Sequence, residues 1–179
     1  MASRWLPQTP GRWNLDCAKQ AAGEVLRKPE LRTALVQALF SDNEDLRQRA
    51  ADTARRITEK QPELLFPFAD RILGAFSESD RALSGGKPDN WRTRAHLGLV
   101  AARVAETKQQ RLRVAGLLRP LLRDARNVVR CTGLEGLGLL ALRDPSLRAD
   151  VEPELEEALA TGTLAMKNRA YHALKRLRK

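Results

Sequence analysis

The sequence predicts an all-α chain of about four to five stacked antiparallel helix pairs. Three observations carry this. The 179 residues include 29 Leu and 25 Ala against 2 Ile and 8 Val, a balance that favours helix over sheet. Apolar residues recur at helical spacing in every candidate element, and no segment sustains the alternation of a strand. One helical template also repeats along the chain. It reads Leu46, Ala50, Ala54, Ile57, then Trp91, Ala95, Leu99, Ala102, then Val129, Gly133, Leu137, Leu140, then Met166, Ala170, Leu174, Leu177. The copies start at 46, 91, 129 and 166, which makes the intervals 45, 38 and 37 residues.

The elements follow in order. Residues 1–13, with Arg4, Pro7, Pro10, Gly11 and Arg12, read as an irregular segment. A helix is expected over 14–27 with Asn14 as its cap. Residues 30–40 carry Leu31, Ala34, Leu35, Ala38 and Leu39 on one face. The first template helix comes next, then a helix over 62–76 with Pro62 in its first turn. Residues 77–90 read as the longest polar connection and account for the longer first interval. The Trp91 helix leads to one over 109–123, in which Pro120 predicts a kink or a break. Gly133, Gly136 and Gly138 fall inside the helical run 128–142. Each costs ~1 kcal/mol relative to Ala, so close helix packing is expected to compensate. Helices over 147–160 and 161–179 complete the set, about nine in one domain spanning 14–179. A single pair cannot bury its apolar face alone, so the pairs must stack.

Two further columns define the repeat. The second template position is small in every copy: Ala50, Ala95, Gly133 and Ala170. The residue after the first anchor is basic in every copy: Arg47, Arg92, Arg130 and Lys167. Helix pairs with a period near 40, Asp in the turn and a hydrophobic–Arg pair opening the second helix resemble HEAT repeats. The stretch 124–130 fits best, with Asp124 six residues before Arg130. The stretch 41–47 is similar, with Asp42 one residue out of place, while Gly86 and Thr161 stand at that position in the other copies. The resemblance covers roughly residues 30–179. It implies a right-handed α-solenoid whose second helices line a concave face. It also implies that the basic column bonds to the turn Asp or to nearby carbonyls, tying one repeat to the next.

Composition excludes several function classes. Formal net charge is +10, from 24 Arg and 8 Lys against 22 acidic residues. Aromatics are 4%, too few for a base-stacking platform. Cys17 and Cys131 lie far apart without a CxxC or Cys/His cluster, which predicts reduced thiols and no zinc. No apolar run has the length of a signal-peptide core or a membrane span, so no membrane partner and a cytoplasmic location are expected. The run 85–88 lacks P-loop spacing, and the glycines of 133–138 lack the order and the preceding strand of a dinucleotide site. No cofactor is expected. Neither His96 nor His172 has a nucleophile and an acid at recognisable spacing, so no enzyme activity is expected either. The bacterial alkylpurine DNA glycosylases are also HEAT-like, but their Asp and Trp have only Asp89 and Trp91 as counterparts. Trp91 falls in the core column and Asp89 in the loop or at a helix cap, so that activity does not carry over.

The candidate binding residues are cations. Arg49, Arg94, Thr132 and Arg169 form a column two residues beyond the basic one and are expected to face the groove. Arg55, Arg56 and Arg103 extend the same face. Lys175, Arg176, Arg178 and Lys179 join Lys167 and Arg169 in a C-terminal cluster without an acidic residue. Asp150, Glu152, Glu154, Glu156 and Glu157 precede it and can neutralise part of its charge. These features predict a non-catalytic scaffold that holds a protein partner in its concave face. The alternative is a nucleic-acid module that uses the same cations on the phosphate backbone.

Overall fold

Helix signals recur down the chain at short intervals, and the computed structural model forms α-helices at nearly all of them. It describes Leu6, residues 14–84 and residues 90–179, with only the backbone of residues 80–84. The remainder of the N-terminal segment and residues 85–89 of the expected loop lie outside the described residues. The helices are α1 (Leu15–Arg27), α2 (Glu30–Ala38), α3 (Glu44–Lys60), α4 (Ala69–Ser84), α5 (Trp91–Val104), α6 (Lys108–Leu118), α7 (Asn127–Arg143), α8 (Arg148–Thr161) and α9 (Leu164–Leu177). No strand occurs among the described residues.

The helix starts are set by local chemistry. Asn14, Asn43 and Thr163 each accept a hydrogen bond from the backbone N–H three residues on, which satisfies one orphan donor of the first turn. Thr107 and Gln110 form a reciprocal capping box at α6. Three proline-bearing 3-10 segments precede or follow helices: Pro62–Phe68, Arg119–Arg123 and Pro145–Leu147. Pro67 explains why the helix expected from Pro62 begins only at Ala69. Its nitrogen cannot donate and its ring crowds the preceding turn. Pro120 ends α6 in the same way.

One expectation is overturned in the 77–90 stretch. Residues 77–84 continue α4 rather than forming a loop. Their polar composition suggests a connection, but no Gly or Pro interrupts them before Gly85. Ser77 and Ser79 are buried, and the Ser79 hydroxyl donates to the Phe76 carbonyl at 2.8 Å.

The helices pack in a regular order. α1, α3, α5, α7 and α9 pack one on the next in series, while α2, α4, α6 and α8 each pack on the odd-numbered helix that follows. One continuous apolar core runs from Leu6 to Leu177. The small column Ala50, Ala95, Gly133 and Ala170 is buried throughout. α7 approaches its neighbours closely because of its glycines. A Cβ on Gly133 would sit 3.2 Å from the Leu118 carbonyl oxygen, and one on Gly138 would sit 2.7 Å from the Ala173 Cβ. The propensity lost at these glycines is thus exchanged for contact with α6 and α9.

Polar bonds tie the turns together. Arg130 donates to the Asp124 carbonyl at 2.8 Å, and Arg47 donates to the Ser41 carbonyl, each reaching back six residues. In these two copies the basic residue therefore braces its own turn rather than the next repeat. Contact between repeats comes from the two residues beyond Arg92. Thr93 donates to Glu44 at the start of α3, at 3.1 Å, and Arg94 pairs with Asp124 before α7, at 2.5 Å. Arg143 adds bonds from the end of α7 to the carbonyls of Ala102 and Arg103, at 3.0 and 2.7 Å.

Candidate functional site

Residues of α3, α5, α7 and α9 line an open groove with a volume of about 440 Å³. Ala95 and Leu99 of α5 and Thr132 of α7 form its floor, because the small column lets the helices approach there. Trp91 and the half-exposed Val128 add apolar wall, and Arg55, Glu59, Arg92, Glu135 and Arg169 bring charge to it. The lining is therefore mixed, apolar at the bottom and charged of both signs above.

The charges are ordered across the helices. Asp52 of α3 pairs with Arg55 at 3.4 Å and with Arg56 at 3.2 Å. Glu59 takes Arg55 from its own helix and, at 3.9 Å, Arg103 of α5. Arg103 also reaches Glu135 of α7 at 3.5 Å, and Glu135 takes Arg169 of α9 at 3.0 Å. A chain of alternating carboxylates and guanidiniums thus crosses four helices beside the groove. Each of Glu59 and Glu135 is shared by two arginines. Burial favours the neutral form of Arg103, opposed by Glu59 and Glu135, and the net effect lowers its pKa.

The predicted cations separate into three groups. Arg55, Arg56, Arg103 and Arg169 lie on or beside the groove, bound into this chain. Arg49 and Arg94 do not face the groove: they are 8% and 2% exposed. The column expected to point outward is buried in these two copies because it faces the packed neighbours. Arg94 spans to Asp124, whose carboxyl lies below its ordinary range. Burial opposes that charge, but the Arg126 backbone N–H and the Arg94 guanidinium outweigh it. Lys175, Arg176, Arg178 and Lys179 are exposed at the far end of α9. Lys175 lies 5.9 Å from the Tyr171 ring centroid, and Arg178 pairs with Glu156 of α8.

Groove residues that escape the sequence pattern include Glu59 on α3 and four on α5 and α7. Trp91 reads as a core anchor, yet it is half-buried and forms a wall. Arg92 reads as a turn brace, yet its guanidinium lies over the Trp91 ring, 4.5 Å from the centroid. Arg126 approaches the same ring at 5.8 Å. His96, one turn after Arg92, is the third. Burial is the main cause that lowers its pKa to about 4, with Arg55, Arg56 and Arg92 adding to the effect against Asp52. The imidazole is neutral at pH 7. Glu135 is the fourth, identified only by partners on α5 and α9.

Cys131 lines the groove together with His96 and Glu135. The Cys131 thiol is pushed up by burial, against Arg169 and Arg130, so it stays protonated at neutral pH. Cys17 and Cys131 are both free and half-buried. No cluster of His, Cys, Asp and Glu suited to a metal occurs among the described residues. No helix among them is long and apolar enough to cross a membrane. No protein-family model matches the chain, and no curated protein matches it.

Proposed function

We propose that this chain is a non-catalytic HEAT-repeat binding scaffold, a short right-handed α-solenoid that holds a protein partner in the groove over α3, α5, α7 and α9. The mixed lining of that groove carries the proposal. Its cations are interleaved with carboxylates, as in the chain from Arg55 through Glu59, Arg103 and Glu135 to Arg169. With Arg55, Arg103 and Arg169 already held by Glu59 and Glu135, the groove offers a phosphate backbone no continuous positive stripe, whereas a peptide can meet both signs and the apolar floor together. Helix repeats stacked in series present an extended surface by construction. The order of helix contacts and the buried small column support that architecture. A catalytic alternative would draw on Cys131 and His96 of the groove, but burial keeps the thiol protonated and the imidazole weakly basic.

The second reading is phosphate-backbone binding, favoured by the exposed cations Lys175, Arg176 and Lys179 on and after α9. Selection of random-sequence peptides on the protein, followed by hydrogen exchange with a selected peptide, separates the two. Protection of α5 and α7 around Ala95, Leu99 and Thr132 is expected. Peptides that protect other surfaces would contradict the scaffold reading. So would duplex DNA bound at ~50 mM salt, lost steeply at higher salt and lost when Lys175, Arg176 and Lys179 are replaced by Glu.

A further inference from the structure

The cations around the groove are not equivalent. Arg55, Arg103 and Arg169 already hold carboxylates of this chain, and Glu59 and Glu135 are each shared between two arginines. Arg92 differs. It is exposed, makes no ion pair among the described residues, and lies over the face of Trp91. A guanidinium lying on an indole keeps its N–H edge directed outward, and the ring fixes its position without neutralising it. Arg126 stands over the same ring and adds positive potential there. His96, neutral near pH 7, contributes no charge beside them. The groove thus carries acids already paired, the Arg92 charge without an ion pair among the described residues, and an apolar floor of Ala95 and Leu99 on the same helix.

We infer that the groove takes an acidic peptide segment that carries an apolar side chain, the carboxylate bound at the Arg92 edge over Trp91 and the apolar group seated on Leu99 and Val128. This rests on the protein-binding reading of the groove and names the chemistry of its partner. Arg92 can offer two parallel N–H donors to one carboxylate, a geometry that gives direction as well as charge. A basic segment would have to displace an arginine from Glu59 or Glu135, exchanging one ion pair for another. A volume of about 440 Å³ suits a short segment with one anchoring side chain, not a folded surface.

The test is fluorescence polarisation with three labelled peptides of equal length, each with a central phenylalanine. Their flanks are aspartate and glutamate, serine and glutamine, or lysine. A labelled DNA duplex is the fourth probe. The acidic peptide is expected to bind tightest. Arg92→Glu should weaken it roughly tenfold or more. Arg92→Lys, which keeps the charge and loses the flat stack, should fall between. Arg113→Glu, exposed on α6 away from the groove, should change nothing. Both substituted positions are exposed, so the fold is not at stake. Equal or tighter binding of the neutral or lysine peptide, lost in Val128→Arg, overturns the acidic preference and leaves the protein-binding reading standing. Acidic-peptide affinity unchanged by Arg92→Glu overturns the assigned contact. Binding of the duplex with none of the peptides overturns both.

Discussion

Arg94 and Arg169 stand three residues after the first anchor of their respective repeats, yet one is a brace and the other a surface cation. Arg94 lies on α5, between α3 and α7, with its side chain 3% exposed and bound to Asp124 at 2.5 Å. Arg169 lies on α9, which packs on α7 and α8, with no helix beyond it among the described residues. Its side chain is 56% exposed and turns back to Glu135 at 3.0 Å. The same column therefore faces a neighbour in the interior of the stack and solvent at its end. What decides the role of the arginine is the helix beside it, not its place in the repeat.

The largest expected effect falls on the interior. Arg94→Ala leaves the Asp124 carboxylate without its guanidinium in a largely buried site. It should cost ~3–5 kcal/mol in denaturant unfolding. A loss under ~1 kcal/mol would place Arg94 with the surface cations and break the contrast.

His96 supplies the next effect, also interior. The unfolded chain takes up a proton near pH 6.5 and the folded one only at about 4. Stability from the neutral imidazole is thus complete above pH 6.5 and declines as the pH falls towards 4, by about 3 kcal/mol in all. His96→Gln should flatten that part of the stability profile, whereas substitution of the exposed His172 should leave it in place. A profile that keeps its slope in His96→Gln would contradict the burial of the ring.

How much of this was legible depends on the range of the interaction. The helical period and the small column are local patterns, and they locate the helices and the buried face of Ala50, Ala95, Gly133 and Ala170. Asn14 was readable as a cap because its bond spans three residues. The run 77–84 misled because polar residues also occupy helices that no Gly or Pro stops. The groove was half legible. Arg55, Thr132 and Arg169 line it and Arg103 lies beside it, but Glu59 and Glu135 join the arginines through partners on other helices, which no local spacing encodes. Trp91 has the spacing of a core anchor and the position of a wall, because its helix begins at the groove edge.

Glycine substitution gives a smaller and directional effect. Gly138→Ala places a Cβ 2.7 Å from the rigid Ala173 methyl, so α7 and α9 must separate. A cost of ~1–3 kcal/mol should appear in thermal unfolding. Gly116→Ala, on the exposed face of α6 with open space around it, should instead gain up to ~1 kcal/mol. Equal gains at both sites would contradict the close approach of α9. The smallest effect is at the end of the stack, where Arg169→Ala should cost under ~1 kcal/mol, less still at high salt.

The division between bracing and binding arginines is tested most directly by measuring melting and acidic-peptide affinity side by side in Arg94→Gln and Arg92→Glu. Arg94→Gln should lower the melting temperature clearly while the folded fraction binds as the parent does. Arg92→Glu should melt as the parent does and bind roughly tenfold more weakly. The opposite pattern, with affinity lost at Arg94 and stability lost at Arg92, would contradict the account.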